Sequence, residues 1–348
     1  MRLLKELYQI SSPSGQETKM RNYLLKRCAE LGAQTETDSQ GNIYVTKGIS
    51  ATYPCVVAHM DEVYPTRGKG YRVICQDGIL FGFNVKKKKF SGIGGDDKNG
   101  IWVALNCLAK YDVMKCAFFV EEESGCIGSS NCNLEFFNDC RFVLQCDRRG
   151  SSDLITDVCF TDLCSEEFLE QTNYKKFGYK EESGMLTDVY TLKADGLAVS
   201  CLNISCGYYE PHSDKEYTVF SDLVNCLNFV QNIIENCTDV YPHVCKETKT
   251  YSGYGNYKGY SGYGSYGSYY SKHWDNYYSG YSDEKDMTDD EYEIFADEYN
   301  QLEDIISHSY SYDLNTKGDE EIANEILEFY DFKYITKEDI LDVLELYR

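Results

Sequence analysis

VVAHMDEV, residues 56–63, is a mostly apolar run that meets a histidine and then two acids. Side chains two positions apart on a strand point to the same face, about 6–7 Å from each other. Asp61 is therefore able to hold one ring nitrogen of His59 while the other nitrogen binds a metal. A single pair of this kind is more often structural, so the other motifs of the chain must show whether His59 binds a metal.

Four further segments end an apolar run or a glycine-rich turn on an acid or a histidine. They are SGIGGDDKNG (91–100), FFVEEESGCIGS (118–129), FVLQCDRRG (142–150) and ISCGYYEPHSDKE (204–216). In open α/β sheets the ligand crevice lies beyond the carboxyl ends of the strands, so these segments are expected to meet in one place. Two imidazoles and several carboxylates are a ligand set that suits zinc.

The segment 91–100 also invites two other interpretations, and both fail. If Gly100 is the invariant glycine of a calcium-binding EF-hand loop, Gly95 takes the first ligand position and Asn106 the last, which the loop does not allow. A phosphate-binding loop needs a GK[ST] ending, which the segment lacks. What remains is a pair of carboxylates, Asp96 and Asp97, at a strand-to-helix turn.

Helical and strand patterns alternate in the first 245 residues. The predicted helices are 16–32, 98–111 and 218–236, and the clearest strands are TYPCVVAHM (52–60), CAFFV (116–120) and RFVLQC (141–146). This alternation predicts a three-layer α/β/α sandwich with a mixed, mostly parallel sheet, followed by a small helical C-terminal appendage.

A change of composition near residue 246 predicts three segments. All sixteen cysteines lie between Cys28 and Cys245, which indicates a folded domain over 1–245. Residues 246–283 are rich in Tyr, Gly and Ser and are predicted to be a flexible linker. Residues 284–348 hold 21 Asp and Glu against 5 Lys and Arg and are predicted to be an acidic helical tail. Thr288 and Thr336 are its predicted helix starts.

Charge and hydropathy exclude some classes of function. The net charge of -23 argues against nucleic-acid binding, which needs a basic face. An apolar run of about eighteen residues, long enough for a membrane span, does not occur, and the N-terminus has no apolar core of a signal peptide. The irregularly spaced cysteines are then expected to be reduced thiols in a cytoplasmic protein.

Taken in order, the five motifs resemble the co-catalytic dizinc metallopeptidase clan. This clan includes peptidase T, the glutamate carboxypeptidases and the glutamyl/leucyl aminopeptidases. AHMDEV and the order LTDV…PHS are most similar to the glutamyl/leucyl aminopeptidase branch, and GGDDKNG is similar to peptidase T. The resemblance covers about residues 1–245. The gaps from His59 to Asp96 and from Asp147 to His212 are too short for the inserted dimerisation or lid domain of most members.

The resemblance implies a role for each matching residue. The implied zinc ligands are His59 and Asp147 on one ion, Glu123 and His212 on the other, and Asp96 between the two. Asp61 would orient His59, and Glu122 would be the general base. A cis peptide between Asp96 and Asp97 is also implied, whereas Glu121 has no counterpart.

The implied activity is hydrolysis of peptide bonds in small peptides, with an aminopeptidase as the first choice. Two zinc ions per chain are implied, with cobalt or manganese as alternatives. A carboxypeptidase or a deacylase of N-acyl amino acids would use the same ligands. A structural or binding protein with an inactive peptidase fold is a further alternative, in which the tail 246–348 would bind a protein partner or self-associate.

Overall fold

The structure, a computed structural model, divides into two compact units, Met1–Thr248 and Lys249–Arg348. The described residues are 1–159, 161–244, 301–302, 305–306, 310, 317–330, 332–333, 335, 337, 340–341 and 344. The predicted linker 246–283 and the predicted helix starts at Thr288 and Thr336 lie outside them. The division of the tail at residue 283 therefore stays a prediction.

The described part of the first unit alternates strands and helices along the chain. Its helices are α1 Arg2–Gln9, α2 Thr18–Glu30, α3 Gly95–Lys110, α4 Ile127–Ser130, α5 Glu166–Thr172, α6 Asp188–Ala194 and α7 Phe220–Asn236. Its strands are β1 Gln34–Thr37, β2 Ile43–Lys47, β3 Tyr53–His59, β4 Tyr71–Gln76, β5 Ile79–Asn84, β6 Lys89–Phe90, β7 Met114–Phe119, β8 Cys140–Arg148, β9 Asp153–Val158, β10 Thr161–Asp162, β11 Lys180–Gly184, β12 Cys201–Ser205, β13 Tyr208–Tyr209 and β14 Tyr217–Val219.

The larger sheet has the strand order β1-β2-β7-β3-β8-β12-β9-β10, with β11 also paired to β9. The four central strands β7, β3, β8 and β12 are parallel to one another, whereas β2 and β9 on either side of them are antiparallel to their central neighbours. Every residue of β3 and β7 is buried, as expected for parallel strands covered on both faces. The predicted mixed α/β sheet is confirmed.

Helices cover both faces of this sheet. In β3, Val56 and Ala58 join one apolar cluster, which includes residues of α1, α2, α3 and α7. The alternate residues Cys55 and Val57 join a second cluster, which includes residues of α6. Because successive strand side chains point to opposite faces, the two clusters are the two interfaces of a three-layer sandwich.

All three predicted helices differ from the observed ones at their N-termini, and α2 begins at Thr18 rather than at residue 16. Helix α3 begins at Gly95 rather than at residue 98, with non-helical backbone angles at Asp96 and Asp97. Helix α7 begins at Phe220 rather than at residue 218, because Tyr217–Val219 pairs with β5 as strand β14. The first two residues of the predicted α7 belong instead to strand β14, whereas α3 extends further towards its N-terminus than predicted.

A second, five-stranded sheet of β13, β14, β5, β4 and β6 was not predicted. Its longest hairpin, β4–β5, turns at Asp77 and Gly78, both of which have positive φ angles. An Asp-Gly pair between alternating runs is a strong hairpin signal, and it could have identified this hairpin from the sequence. Its strands β4, β5 and β6 lie between His59 and Asp96 in sequence, whereas β13 and β14 lie before and after His212.

The described part of the second unit is helical around its own apolar cluster. Helix α8, Asp319–Phe329, contributes Ile322, Ala323 and Ile326 to this cluster. Ile340 and Leu344, from the predicted C-terminal helix, are also buried in it.

The described cysteines number fifteen, all of them lie in the first unit, and all are free thiols. None of the helices in the described part of the chain combines the length and apolar character needed to cross a bilayer.

Candidate metal centre

The predicted ligands lie at one edge of the large sheet because three parallel strands end there. His59 is the last residue of β3, and Asp147 is the penultimate residue of β8. Glu122 and Glu123 follow β7. Since β7, β3 and β8 are neighbours, their carboxyl ends place these side chains beside one another.

Two groups of ligand atoms share Asp96. In the first, Nε2 of His59 is 3.0 Å from Oδ1 of Asp96 and 3.7 Å from Oδ1 of Asp147. In the second, Nε2 of His212 is 3.4 Å from Oδ2 of Asp96 and 3.1 Å from Oε2 of Glu123. Within each group the candidate atoms lie within 4.8 Å of one another. The five residues thus form two potential ion sites with a common carboxylate.

The backbone at Asp96 is held in an unusual conformation. The peptide between Asp96 and Asp97 is cis, as the resemblance implied. The buried carboxylate of Glu216 accepts hydrogen bonds from the backbone amides of Gly94 (2.7 Å) and Asp96 (3.1 Å). Asp97, also buried, accepts hydrogen bonds from the amides of His59 and Gly100. These contacts fix the turn that presents Asp96.

Asp61 contacts more of the centre than the sequence suggested. Its Oδ1 is 3.3 Å from Nδ1 of His59, and that nitrogen also contacts the Asp61 carbonyl oxygen over 3.1 Å. The carboxylate accepts hydrogen bonds from the amides of Glu122 and Glu123 and from Oγ of Ser14. Asp61 therefore joins the end of β3 to the turn after β7.

Of the three adjacent glutamates, Glu122 and Glu123 face the centre. Glu123 belongs to the second ligand group, and Oε2 of Glu122 lies 4.0 Å from Nε2 of His59. Burial, reinforced by the carboxylates of Asp147 and Asp188, raises the pKa of Glu122 to about 9. Glu121 is in neither ligand group.

A network of polar side chains supports Asp147. The amide group of Gln145 donates hydrogen bonds to Oδ2 of Asp147 (3.1 Å) and to the buried carboxylate of Asp188 (3.2 Å). Oδ1 of Asp188 accepts a second bond from Oγ of Ser129, and the side chain of Asn203 bonds both backbone polar groups of Asp147. The network fixes both the backbone and one oxygen of Asp147.

The ionisation of this cluster fits divalent cations. Burial and the nearby Asp96 carboxylate raise the pKa of Asp147 well above its usual value, while hydrogen bonds to Asp96 and Glu123 raise that of His212 to about 11. Oε1 of Glu123 is buried without a hydrogen-bond partner. A divalent cation at this position would satisfy the same oxygens and nitrogens, and the imidazole and carboxylate donor set suits zinc.

Four buried acids near the centre were not assigned a role from the sequence: Glu62, Asp97, Asp188 and Glu216. Glu62 binds Arg67 through both carboxylate oxygens and also pairs with Lys98, over 2.6 to 2.7 Å. All four were within the quoted motifs, but an acid that accepts backbone or cationic hydrogen bonds has the same sequence signature as a ligand. Only the fold separates the two kinds.

Comparison with known protein sequences finds one local match. No family profile matches the chain. A segment of 63 residues is 46% identical to the glutamyl aminopeptidase of Lactococcus lactis subsp. cremoris (strain MG1363), and it covers 17% of this chain and 18% of that protein. The sequence match therefore spans less than a fifth of the curated relative.

Two solved structures are similar over most of their length. A tripeptidase from Staphylococcus aureus subsp. aureus Mu50 aligns with a TM-score of 0.56 and 14% identity, covering 68% of this chain and 97% of that chain. The aminopeptidase PepT from Bacillus cereus ATCC 10987 aligns with a TM-score of 0.53 and 15% identity, with the same two coverages. The chain therefore shares its fold with these two peptidases, and the resemblance inferred from the motifs is confirmed at the level of the fold.

Proposed function

We propose that this chain is a dizinc exopeptidase that removes residues from the amino end of short peptides. The observation that supports the proposal best is the pair of ligand groups that share Asp96, with Glu122 beside them. The local identity to a glutamyl aminopeptidase favours the aminopeptidase over the carboxypeptidase and deacylase alternatives.

His59 and Asp147 would hold one zinc ion, Glu123 and His212 the other, and Asp96 would bind both. When bound, two zinc ions supply Lewis acidity, which polarises the scissile carbonyl and makes a water molecule more acidic. The carboxylates would offset the positive charge of the ions and the imidazoles would bind them through neutral ring nitrogens. The contacts of Asp61 and Glu216 keep His59 and Asp96 oriented.

Glu122 would move the proton. As an ionised carboxylate it accepts a proton from the attacking water while the water oxygen bonds to the carbonyl carbon. The protonated Glu122 then donates this proton to the amine nitrogen as the C–N bond breaks. The pKa of Glu122 is raised by burial to about 9 without cations, and the positive charge of bound ions would lower it so that the carboxylate is available near neutral pH.

The proposal is tested by metal content and hydrolysis on the same preparations. We expect about two zinc ions per chain after purification without chelator, as in other two-metal sites, and about one in Glu123→Ala. Glu122→Gln should retain both ions but lose activity on aminoacyl substrates by about 100- to 10,000-fold, the usual contribution of general acid–base catalysis.

Glu121→Gln is the matched control, because it alters the adjacent glutamate that is in neither ligand group. Its zinc content and activity should equal those of the wild type. Absence of bound metal after zinc is supplied would reject the proposal. Activity on N-acyl amino acids or from the carboxyl end, without activity on free amino ends, would reject the aminopeptidase assignment. The cytoplasmic location and a partner for the tail stay predictions.

A further inference from the structure

A polar cavity of about 130 Å³ lies beside the small sheet. Its lining includes Tyr64, Asn84, Lys87, Lys89, Ser91 and Asp214. The lysines come from KKKK, residues 86–89, the turn and first strand residue between β5 and β6. The sequence analysis gave this run no role.

The cavity borders the candidate metal centre through Tyr64. The phenol of Tyr64 donates a hydrogen bond to the carbonyl oxygen of Ser213 over 2.9 Å, and Ser213 directly follows His212. The phenol also lies close to the carboxylate of Glu216, which accepts a hydrogen bond from the amide of Asp96. The cavity and the loop of His212 are therefore adjacent, with Tyr64 between them.

The ring of Tyr64 is fixed by its neighbours. A Cβ on Gly92 would lie 2.0 Å from Cζ of Tyr64, so the ring fills the space that any other residue at position 92 would need. The phenol is thus a rigid part of the wall between the cavity and the loop of His212.

The charge of the cavity is opposite to that of the chain. Lys87 and Lys89 line it, and both are exposed. Asp214 is the one acid among the described residues of the lining. Its carboxylate is 3.9 Å from Nζ of Lys89, with both side chains more than half exposed, so the pair is screened by solvent. In a chain with a net charge of -23, this local positive potential attracts anions to one place.

We propose that this cavity binds a carboxylate of the peptide substrate, which makes short peptides with an unblocked carboxylate the preferred substrate class. The inference rests on the proposed peptidase function. The carboxylate belongs either to the C-terminus of a short peptide or to an acidic side chain, and both present the same two oxygens to Lys87 and Lys89. The hydroxyl of Ser91 and the amide of Asn84 supply further hydrogen-bonding groups in the lining.

Binding is measured by calorimetry on full-length, zinc-loaded Glu122→Gln protein, so that the peptide remains intact. Three probes are compared: Leu-Gly-Gly, its C-terminal amide, and the amide of Leu-Gly-Glu. We expect the free acid to bind about tenfold more tightly than its amide, which corresponds to about 1.4 kcal/mol. If the Leu-Gly-Glu amide binds as tightly as Leu-Gly-Gly, the cavity accepts an acidic side chain as well as a C-terminal carboxylate.

When Lys87→Gln/Lys89→Gln is added to the Glu122→Gln protein, the preference for the free acid should fall to about twofold or less, because both exposed cations of the lining are lost. Arg67, the remaining cation of the lining, is already paired with Glu62. Lys86→Gln/Lys88→Gln is the matched control, since it removes the same charge from the same turn at positions that do not line the cavity. It should keep the preference. Equal affinity of the Glu122→Gln protein for the acid and the amide would overturn the proposal. So would an equal loss of the preference for the acid in both double variants.

Hydrolysis by the wild-type protein is measured separately with the same three peptides. Preference in binding without any hydrolysis would overturn the proposed peptidase function and retain the carboxylate site. Hydrolysis of acid and amide at equal kcat/KM would overturn the carboxylate site and retain the peptidase.

Discussion

Oδ1 of Asp61 accepts a hydrogen bond from the backbone amide of Glu122 over 2.9 Å. The same oxygen lies 3.3 Å from Nδ1 of His59. One carboxylate thus connects a predicted zinc ligand on β3 with the predicted general base after β7. This connection explains why the two strand ends keep a fixed separation, and it makes Asp61 a positioning residue for two functional groups at once.

Asp61→Asn should weaken zinc binding and lower kcat/KM by about 10- to 100-fold, as is typical when a group that orients a metal ligand is changed. The asparagine keeps one acceptor oxygen, but its NH2 group opposes the amide of Glu122 or Glu123. Zinc affinity is measured by competition with a chelator, and kinetics with an aminoacyl substrate. Asp139→Asn is the control, because Asp139 precedes β8 at the opposite end of the strand and pairs with Lys115. Equal zinc affinity in the wild type, Asp61→Asn and Asp139→Asn would contradict the prediction.

Glu216→Gln should destabilise the protein by about 1–3 kcal/mol, the cost of leaving a buried backbone amide without its acceptor. The carboxylate oxygens of Glu216 accept from the amides of Gly94 and Asp96. The glutamine of the variant has one carbonyl oxygen, so only one of these amides keeps its acceptor. The free energy of unfolding is measured in urea on metal-free protein, followed by zinc affinity. Glu210→Gln is the control, since Glu210 is exposed in the same loop region. A stability loss equal to that of the control would show that Glu216 does not hold the turn.

Zinc binding should release protons, and zinc affinity should rise with pH between about 6 and 8. In the ion-free protein the pKa of Glu122 is raised by burial to about 9, and that of His212 is raised by its contacts with Asp96 and Glu123 to about 11. Both groups are therefore protonated at neutral pH before zinc binds, and ligation removes the proton from His212. Proton release is measured by calorimetry in buffers of different ionisation enthalpy. Identical heats in all buffers would contradict this expectation.

A chain that ends at residue 248 should fold and retain zinc binding and activity. The two apolar clusters of the first unit are built from residues between 3 and 241, and the implied ligands all precede residue 213. Thermal unfolding, zinc content and oligomeric state are compared with those of the full chain. A lower unfolding temperature or a changed oligomeric state in the shortened chain would assign residues 249–348 a structural or associative role, and unchanged values would leave them a spacer role.

Much of the site could be predicted because its residues lie at the ends of recognisable strands. The runs before His59 and Asp147 are continuous and apolar, which is the pattern of buried parallel strands. Glu216 and Asp188 could not be assigned in this way. Their roles depend on which backbone amides and side chains approach them across more than forty residues of sequence, and an acid that holds a turn looks like an acid that binds an ion.

The small sheet and the cavity beside it show the same limit. The Asp77–Gly78 pair predicts a hairpin, but nothing in its sequence indicates that β5 also pairs with β14, more than 130 residues later. That pairing places Lys87 and Lys89 near the loop of His212.

By itself, the sequence determined the α/β class and the order of the strands that end on acids and histidines, which follow from local periodicity. Its resemblance to a known clan implied which of these side chains are candidate ligands and that Asp96 is shared. Only the tertiary structure decided that Asp61 joins two strand ends, that Glu216 holds the turn of Asp96, and that a basic cavity adjoins the loop of His212. These depend on distances between residues far apart in the chain, which are set by strand pairing and packing rather than by local pattern.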